Sequence, residues 1–182
     1  MATTNWVFNP THSELGFKIK HLMISNVSGS FKNFQVDVQT EGDDLTTARI
    51  SATADMHSID TNNEQRDAHL RTSDFFEADT YPELAFQSTR VEKGDDETLY
   101  VHGDLTLKGV TKPVTLTVEH SGPTKDPWGG ERTGFVVTGK IKRSDWGITF
   151  NSVLEAGGVM LGEEVKIHSE IQLVKAATAI AA

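Results

Sequence analysis

The sequence predicts an all-β fold: one extended antiparallel barrel of about eight strands, with short helices near residues 22–27, 62–71 and 144–148. Two observations carry the barrel. Apolar and polar residues alternate in run after run, and clusters of turn-forming residues separate the runs. A third observation sets its size. The 182 residues contain no stretch of linker composition, which suits one domain over 1–182, with a core of about 6–174 and a flexible tail at 175–182.

Taken in order, Phe17 and Ile19 alternate with Lys18 and Lys20, and Phe34, Val36 and Val38 with Gln35, Asp37 and Gln39. Leu99, Val101, Leu105 and Leu107 share one face, opposite Tyr100, His102, Asp104, Thr106 and Lys108. Val114, Leu116 and Val118 repeat the pattern, as do Phe135, Val137 and Ile141, and then Val165, Ile167, Ile171 and Leu173. Turns are marked at Glu41–Asp44, Lys93–Asp96, Lys108–Pro113 and Gly122–Gly130. Strands with one apolar face must hide it, against a second sheet or by curling into a barrel. Runs of about ten residues at ~3.3 Å each make a sheet ~33 Å tall, and a closed ring of about eight can still hold a small ligand. The alternation fits a sandwich as well. Small residues on apolar faces, Gly103, Gly139 and Ser169, favour a barrel with unfilled volume, although glycines there would equally mark bends or bulges.

The stretch Ser58–Ser88 departs from this rhythm. Thr61 followed by Glu64 forms a capping box, and the helix it opens carries Arg66, Asp67, His69, Leu70 and Arg71. Asp67 and Arg71 stand four apart, the spacing of a surface ion pair. Phe75 and Phe76 follow at once, either an anchor docking the helix on the sheet or a gate for a ligand. Further on, Ser144 and Asp145 cap a short turn in which Trp146 plugs a barrel end.

Composition excludes several functions. A formal net charge of −9 with scattered basic residues argues against nucleic acid as a partner. Without cysteine there are no disulfides, thiolate metal sites or thiol nucleophiles. No run approaches the ~18 apolar residues of a membrane helix. The start, MATTNWVFNP, shows no signal peptide, so the expected compartment is the cytoplasm, or the periplasm if the N-terminus has been trimmed. No nucleophile elbow, HExxH pair, P-loop or dinucleotide fingerprint occurs. His102, His120 and His168 fall on polar strand faces, and His12 in a turn. His57 and His69 bracket the helix near Asp67 and Glu64, but their spacing matches no metal-ligand pattern, so neither metal nor cofactor is expected. Arg66, Arg71 and Arg143 fit structural pairing individually, and an anionic headgroup if they converge. Trp128 in the DPWGG loop would serve a homodimer contact or shape the turn.

Five stretches in register resemble the YceI-like family of lipocalin-like, polyisoprenoid-binding proteins. They are FKIKHLMISNVSGSFKNFQ, with His21, Ser28, Gly29 and Phe31; SIDTNNEQRDAHLRTSDFFEADTYPELAFQST; GDLTLKGVTKPVTLTV; TGFVVTGKIKRSDWGI; and GGVMLGEEVKIHSEIQL. The resemblance spans roughly Trp6 to Val174. It implies a lipocalin-like barrel with a long apolar tunnel that binds isoprenoid chains, isoprenoid quinones or related amphiphilic lipids without catalysis. Phe17, Ile19, Phe34, Phe75, Phe76, Phe86, Leu105, Phe135 and Trp146 would line the tunnel. His21, Arg66, Asp67, His69 and Arg143 would form or brace a polar mouth. Many members carry a secretory signal, which this chain does not show.

The leading expectation is therefore transport or sequestration of a long-chain lipid, such as a prenyl phosphate or a quinone. Two other classes stay open on the residues: an enzyme using His69 with Asp67 or Glu64 as acid–base groups, and an interaction module whose barrel is filled solid.

Overall fold

Where the sequence alternates, the chain forms strands. The computed structural model describes residues 3–22, 24–120, 124–125, 127, 131–151 and 161–176. These build β1 (Thr3–Phe8), β2 (Glu14–His21), β3 (Ser25–Phe31), β4 (Phe34–Glu41), β5 (Asp44–Asp55), β6 (Ile59–Asp60), the helix α1 (Glu64–Leu70), β7 (Glu83–Lys93), β8 (Thr98–Leu107), β9 (Val110–His120), β10 (Thr124–Lys125), β11 (Glu131–Lys142) and β12 (Leu161–Lys175). Short 3-10 turns occupy Pro10–His12, Met56–Ser58 and Arg143–Trp146.

Eight strands close an antiparallel ring in the order β11-β9-β8-β7-β5-β4-β1-β12, with β12 returning to β11. β12 holds the ring together. One of its edges pairs with β11 from Glu164 to Val174, and the other is shared by β1 near Leu173 and β2 from Leu161 to Glu170. β1 and β2 thus run end to end along one neighbour. From β2 the chain folds into β3, which pairs in turn with β6.

The barrel has two unlike poles. At one, Trp6, Val38, Ile171 and Leu173 form a buried plug with Phe8, Ala48 and Phe135 packed against it. The Trp6 Nε1–H donates to Thr40 Oγ1 at 3.1 Å, and the Thr40 hydroxyl donates to the Gly42 carbonyl at 2.6 Å, so the plug's polar atoms are satisfied. At the other pole lie the β2–β3 and β8–β9 turns, α1 and the Arg143–Trp146 turn. A larger cluster around Phe31, Phe75, Phe86, Leu105 and Trp146 packs there.

Two expectations need correcting, and one strand was not foreseen. No helix forms among the described residues of 22–27: Leu22 and Ile24 lie in a turn and β3 begins at Ser25, because β2 supplies a full ladder of partners from Gly16 to His21. The Lys108–Pro113 segment is a turn at Lys108 and Gly109 alone, both at positive φ (50° and 74°), the geometry of a two-residue hairpin. The remaining residues already belong to β9. β5, twelve residues long, escapes the alternation signal because its inward positions include Ala48, Ala52 and Ala54 rather than large aliphatics. β12 continues to Lys175 and the Ala176 N–H donates to the Asn5 carbonyl, while 177–182 and Trp128 lie outside the described residues.

Candidate functional site

Inward residues of the ring, capped on one side by α1 and the loop after it, enclose a cavity of about 360 Å³. Its walls are almost entirely aliphatic and aromatic. Of the residues expected in a tunnel, Phe17, Ile19, Phe34, Phe75, Phe76, Phe86 and Leu105 line it. Phe135 and Trp146 do not. Phe135 points inward from β11 but packs against the plug, and it borders a second, shallow cleft at the plugged pole together with His120, its cross-strand partner. His120 has the parity of Val118, so it sits on the inward face rather than on the polar one. Trp146 is only 2% exposed, and its Nε1–H donates to the Leu105 carbonyl at 3.0 Å, which makes it a wedge under the wall.

The glycines do not create the volume. A Cβ on Gly103 would lie 2.5 Å from Phe86 Cζ, and one on Gly139 would lie 2.7 Å from Leu116 Cδ2. Those side chains fill the space the glycines leave. Ser169 does face the cavity, with its hydroxyl donating to the Glu14 carbonyl at 2.6 Å.

At the mouth the polar residues divide by partner. The N-cap of α1 is Asn63, whose Oδ1 accepts from the Arg66 N–H at 3.1 Å, and not Thr61. The carboxylate that reaches back belongs to Asp67: its Oδ1 accepts from the Thr61 N–H at 2.9 Å and from the Thr61 hydroxyl. Asp67 is therefore buried and committed, pairs with neither Arg71 nor His69, and does not line the cavity. Arg71 donates instead to the carbonyls of His57 and Ile59. Arg66 lines the cavity and donates through Nε to Thr61 Oγ1 at 2.8 Å.

His69 also lines the cavity, its Nε2 at 2.9 Å from Asp74 Oδ2 and its ring edge-on to Phe75 and Phe150 at 5.1 and 5.0 Å. Its carboxylate partner is thus Asp74, rather than Asp67 or Glu64. His57 engages a different acid, Asp79, at 2.9 Å, and among the described residues no group of three such side chains converges at metal-binding range. His21 and Arg143 also line the cavity, as do Thr53 and Thr61.

Arg143 is a brace. It is 4% exposed, its Nε donates to the Gly162 carbonyl at 2.9 Å, and Nη1 donates to the carbonyls of Ile148 and Phe150 at 3.1 and 2.8 Å. Burial lowers its pKa, against an opposing push from Glu163. The turn it opens has no side-chain cap of its own; the Ser144 N–H donates to Glu163 Oε1 at 2.8 Å. Ser144, through its hydroxyl and then its backbone N–H, holds Glu163 below the ordinary carboxylate range.

Sequence reasoning missed Phe31, Ile148 and Phe150 as wall residues. Phe150 follows the 3-10 turn in an extended segment too short to show a period. Its signal was only that an aromatic side chain there needs cover.

Comparison with known proteins agrees with this architecture. The YceI-like domain matches residues 6–173. The chain belongs to the YceI-like family. A UPF0312 protein of Staphylococcus aureus strain N315 is 44% identical over 170 residues, covering 93% of this chain and 96% of its own. The YCEI protein of Campylobacter jejuni is 34% identical, with a TM-score of 0.76 over 88% of this chain and 91% of its own. A polyisoprenoid binding domain from Saccharophagus degradans, 17% identical, shares the fold at a TM-score of 0.66 over 97% of this chain and 99% of its own. The closed eight-strand barrel with one α-helix among the described residues is thus the lipocalin-like YceI fold.

Proposed function

We propose that this YceI-like protein binds one long-chain amphiphilic lipid, with the tail in the barrel and the head at the mouth, and carries or sequesters it without changing it. The observation that carries the reading is the cavity itself: about 360 Å³, walled mostly by apolar side chains, with its arginine and histidine side chains gathered at the mouth. That volume is within the ~300–1,000 Å³ of small-molecule sites. Burial contributes roughly 0.8 kcal/mol per methylene, so a long tail supplies ample affinity even after its ordering is deducted. The head needs few contacts, and weak head selectivity follows. We assign the tail to the isoprenoid class, as a prenyl phosphate or an isoprenoid quinone. Support comes from a fold shared with a polyisoprenoid binding domain, which is an argument by analogy of fold. Among the mouth residues, Asp67 is a brace away from the cavity and Arg143 braces the mouth while lining it, and His21, Arg66 and His69 are within reach of a head.

Native mass spectrometry of the purified protein, followed by organic extraction, tests this. One long-chain lipid per barrel is the expected result. Protein that is empty and refuses both an added prenyl alcohol and an added quinone overturns the reading. The non-catalytic part has its own check: incubated lipid should be recovered chemically unchanged, and equally so from His69→Gln.

A further inference from the structure

Two features beside the mouth play no part in the cavity. The first is the tip of the β2–β3 hairpin. Ile24 is 85% exposed and Leu22 39%, and both stand just beyond His21 and Val27, which line the opening. Leu22 adopts φ 55°, a left-handed conformation uncommon for a leucine. Hairpin tips in water ordinarily use Asn, Asp or Gly at such positions. Here two aliphatic side chains are held out in solvent, one of them on a strained backbone.

The second feature is a row of lysines on the outer face of the same strands. Lys18 of β2 is in register with Lys166 of β12, and Lys166 with Lys140 of β11. Like charges directly opposite each other destabilise a sheet. All three are exposed, and none makes an ion pair or a side-chain hydrogen bond among the described residues. Lys20 and Lys142 extend the row toward the mouth. The nearby acids are Glu163, held by Ser144, Glu164, in register with Lys142, and Asp145 in the turn after Lys142, against five lysines. This flank is therefore basic in a chain whose formal charge is −9. The acidic turns around Asp43, Asp44, Asp95 and Asp96 lie at the plugged pole. Asp74, Glu77 and Asp79 belong to the loop after α1, where His69 meets Asp74, His57 meets Asp79 and Lys108 Nζ donates to the Ser73 carbonyl.

We propose that the Leu22/Ile24 tip and the Lys18–Lys166–Lys140 row dock the mouth of this barrel on an anionic lipid surface. Apolar side chains that enter the interface together with lysines that meet anionic headgroups are the two components of peripheral membrane binding. The spacing suits both at once. Lys20 and Lys18 stand two and four residues from Leu22, about 7 and 13 Å along an extended strand, so the first reaches the headgroups and the second lies near their edge. The acidic turns then face away from the surface. The purpose of such docking, passing a lipid between bilayer and cavity, rests on the reading proposed above; the docking itself does not.

The test is flotation with vesicles of phosphatidylcholine alone and with about 30 mol% phosphatidylglycerol, at low salt and in about 0.5 M salt. The wild-type protein should float with the anionic vesicles, and salt should release it. Ile24→Asp should lower partitioning by roughly tenfold. Lys18→Gln, Lys140→Gln and Lys166→Gln should each lower it about fivefold and together remove the preference for anionic lipid. All four positions are exposed and outside the cavity lining, so each variant should still take up a prenyl alcohol delivered from solution. Equal floating on both vesicle types, or unchanged floating of Ile24→Asp, overturns the docking surface. So does a tip-dependent dimer that ignores vesicles. Failure of the wild-type protein to take up any lipid would instead sink the cavity reading and leave the flotation result intact.

Discussion

The two poles of the barrel solve the same problem in opposite ways. Each must end a tube of inward-facing apolar side chains. At the plugged pole, Trp6, Val38, Ile171 and Leu173 fill it, and each polar atom of Trp6 and Thr40 is satisfied locally. At the mouth the cover is a seven-residue helix held by side chains bonded to backbone, Asp67 to Thr61 and Arg71 to His57 and Ile59, beside a segment that Arg143 props through Gly162, Ile148 and Phe150. Packing closes one end, and directional bonds prop the other. A prop leaves volume open where a plug cannot, which is why the cavity reaches only one pole.

Removing the plug should have the largest effect. Trp6→Ala should cost about 3–5 kcal/mol in denaturant-induced unfolding, while the molecules still folded bind lipid as before, since Trp6 does not line the cavity. A loss below about 1 kcal/mol would mean that the plug is ornamental. Removing a prop comes next. Asp67→Ala leaves the buried Thr61 N–H and hydroxyl without their acceptor and should cost about 3 kcal/mol, whereas Asp67→Asn should retain part of that. If the two lose equal stability in unfolding, the Oδ1 acceptor alone does not hold the helix and the carboxylate's charge does.

Phe76→Ala should reverse the ranking of the two readouts. It is a half-buried wall residue, so it should lose about 1 kcal/mol of lipid affinity, roughly fivefold, with a smaller loss of stability. The smallest effect is on pH. Glu163 is held below its ordinary value, so its contribution is complete above the unfolded pKa of about 4.3 and fades as pH falls through the folded one. The Ser144 amide resonance should therefore titrate with a midpoint below that value, and Glu163→Gln should abolish the titration. A midpoint at or above it would show that the Arg143–Trp146 turn is not tied down through Glu163.

The poles also differ in how much of each could be read from the sequence. Strands whose inward positions are Val, Leu, Ile or Phe were legible, because burial on one face leaves a period of two; β5 was not, because alanines carry the same period too faintly. Four wall positions, Phe17, Ile19, Phe34 and Leu105, sit on that period, whereas Phe75, Phe76 and Phe86 came from the family resemblance. Phe135 was misjudged because parity says which face a residue takes but not at what height in the barrel the plug begins. The mouth was legible in residue types and illegible in pairings. Thr61, Glu64, Asp67 and His69 are so close in the chain that several partnerships fit, and only the path of the chain between β6 and α1 selects Asp67 for Thr61 and Asp74 for His69. The missed turn at Leu22 and Ile24 belongs to the same class: a strand partner decided it, not local preference.

β12 has a consequence for how this protein is made. It pairs with β11, β1 and β2, so the ring cannot shut until the ribosome has released Leu161–Lys175, long after β1 and β2 have emerged. Until then the nascent chain is an open sheet with its apolar face uncovered and two unsatisfied edges, a state that pairings of such long sequence separation make slow to resolve. The interior is most accessible during that interval, when a hydrophobic molecule could settle on the sheet before the last strand seals it in.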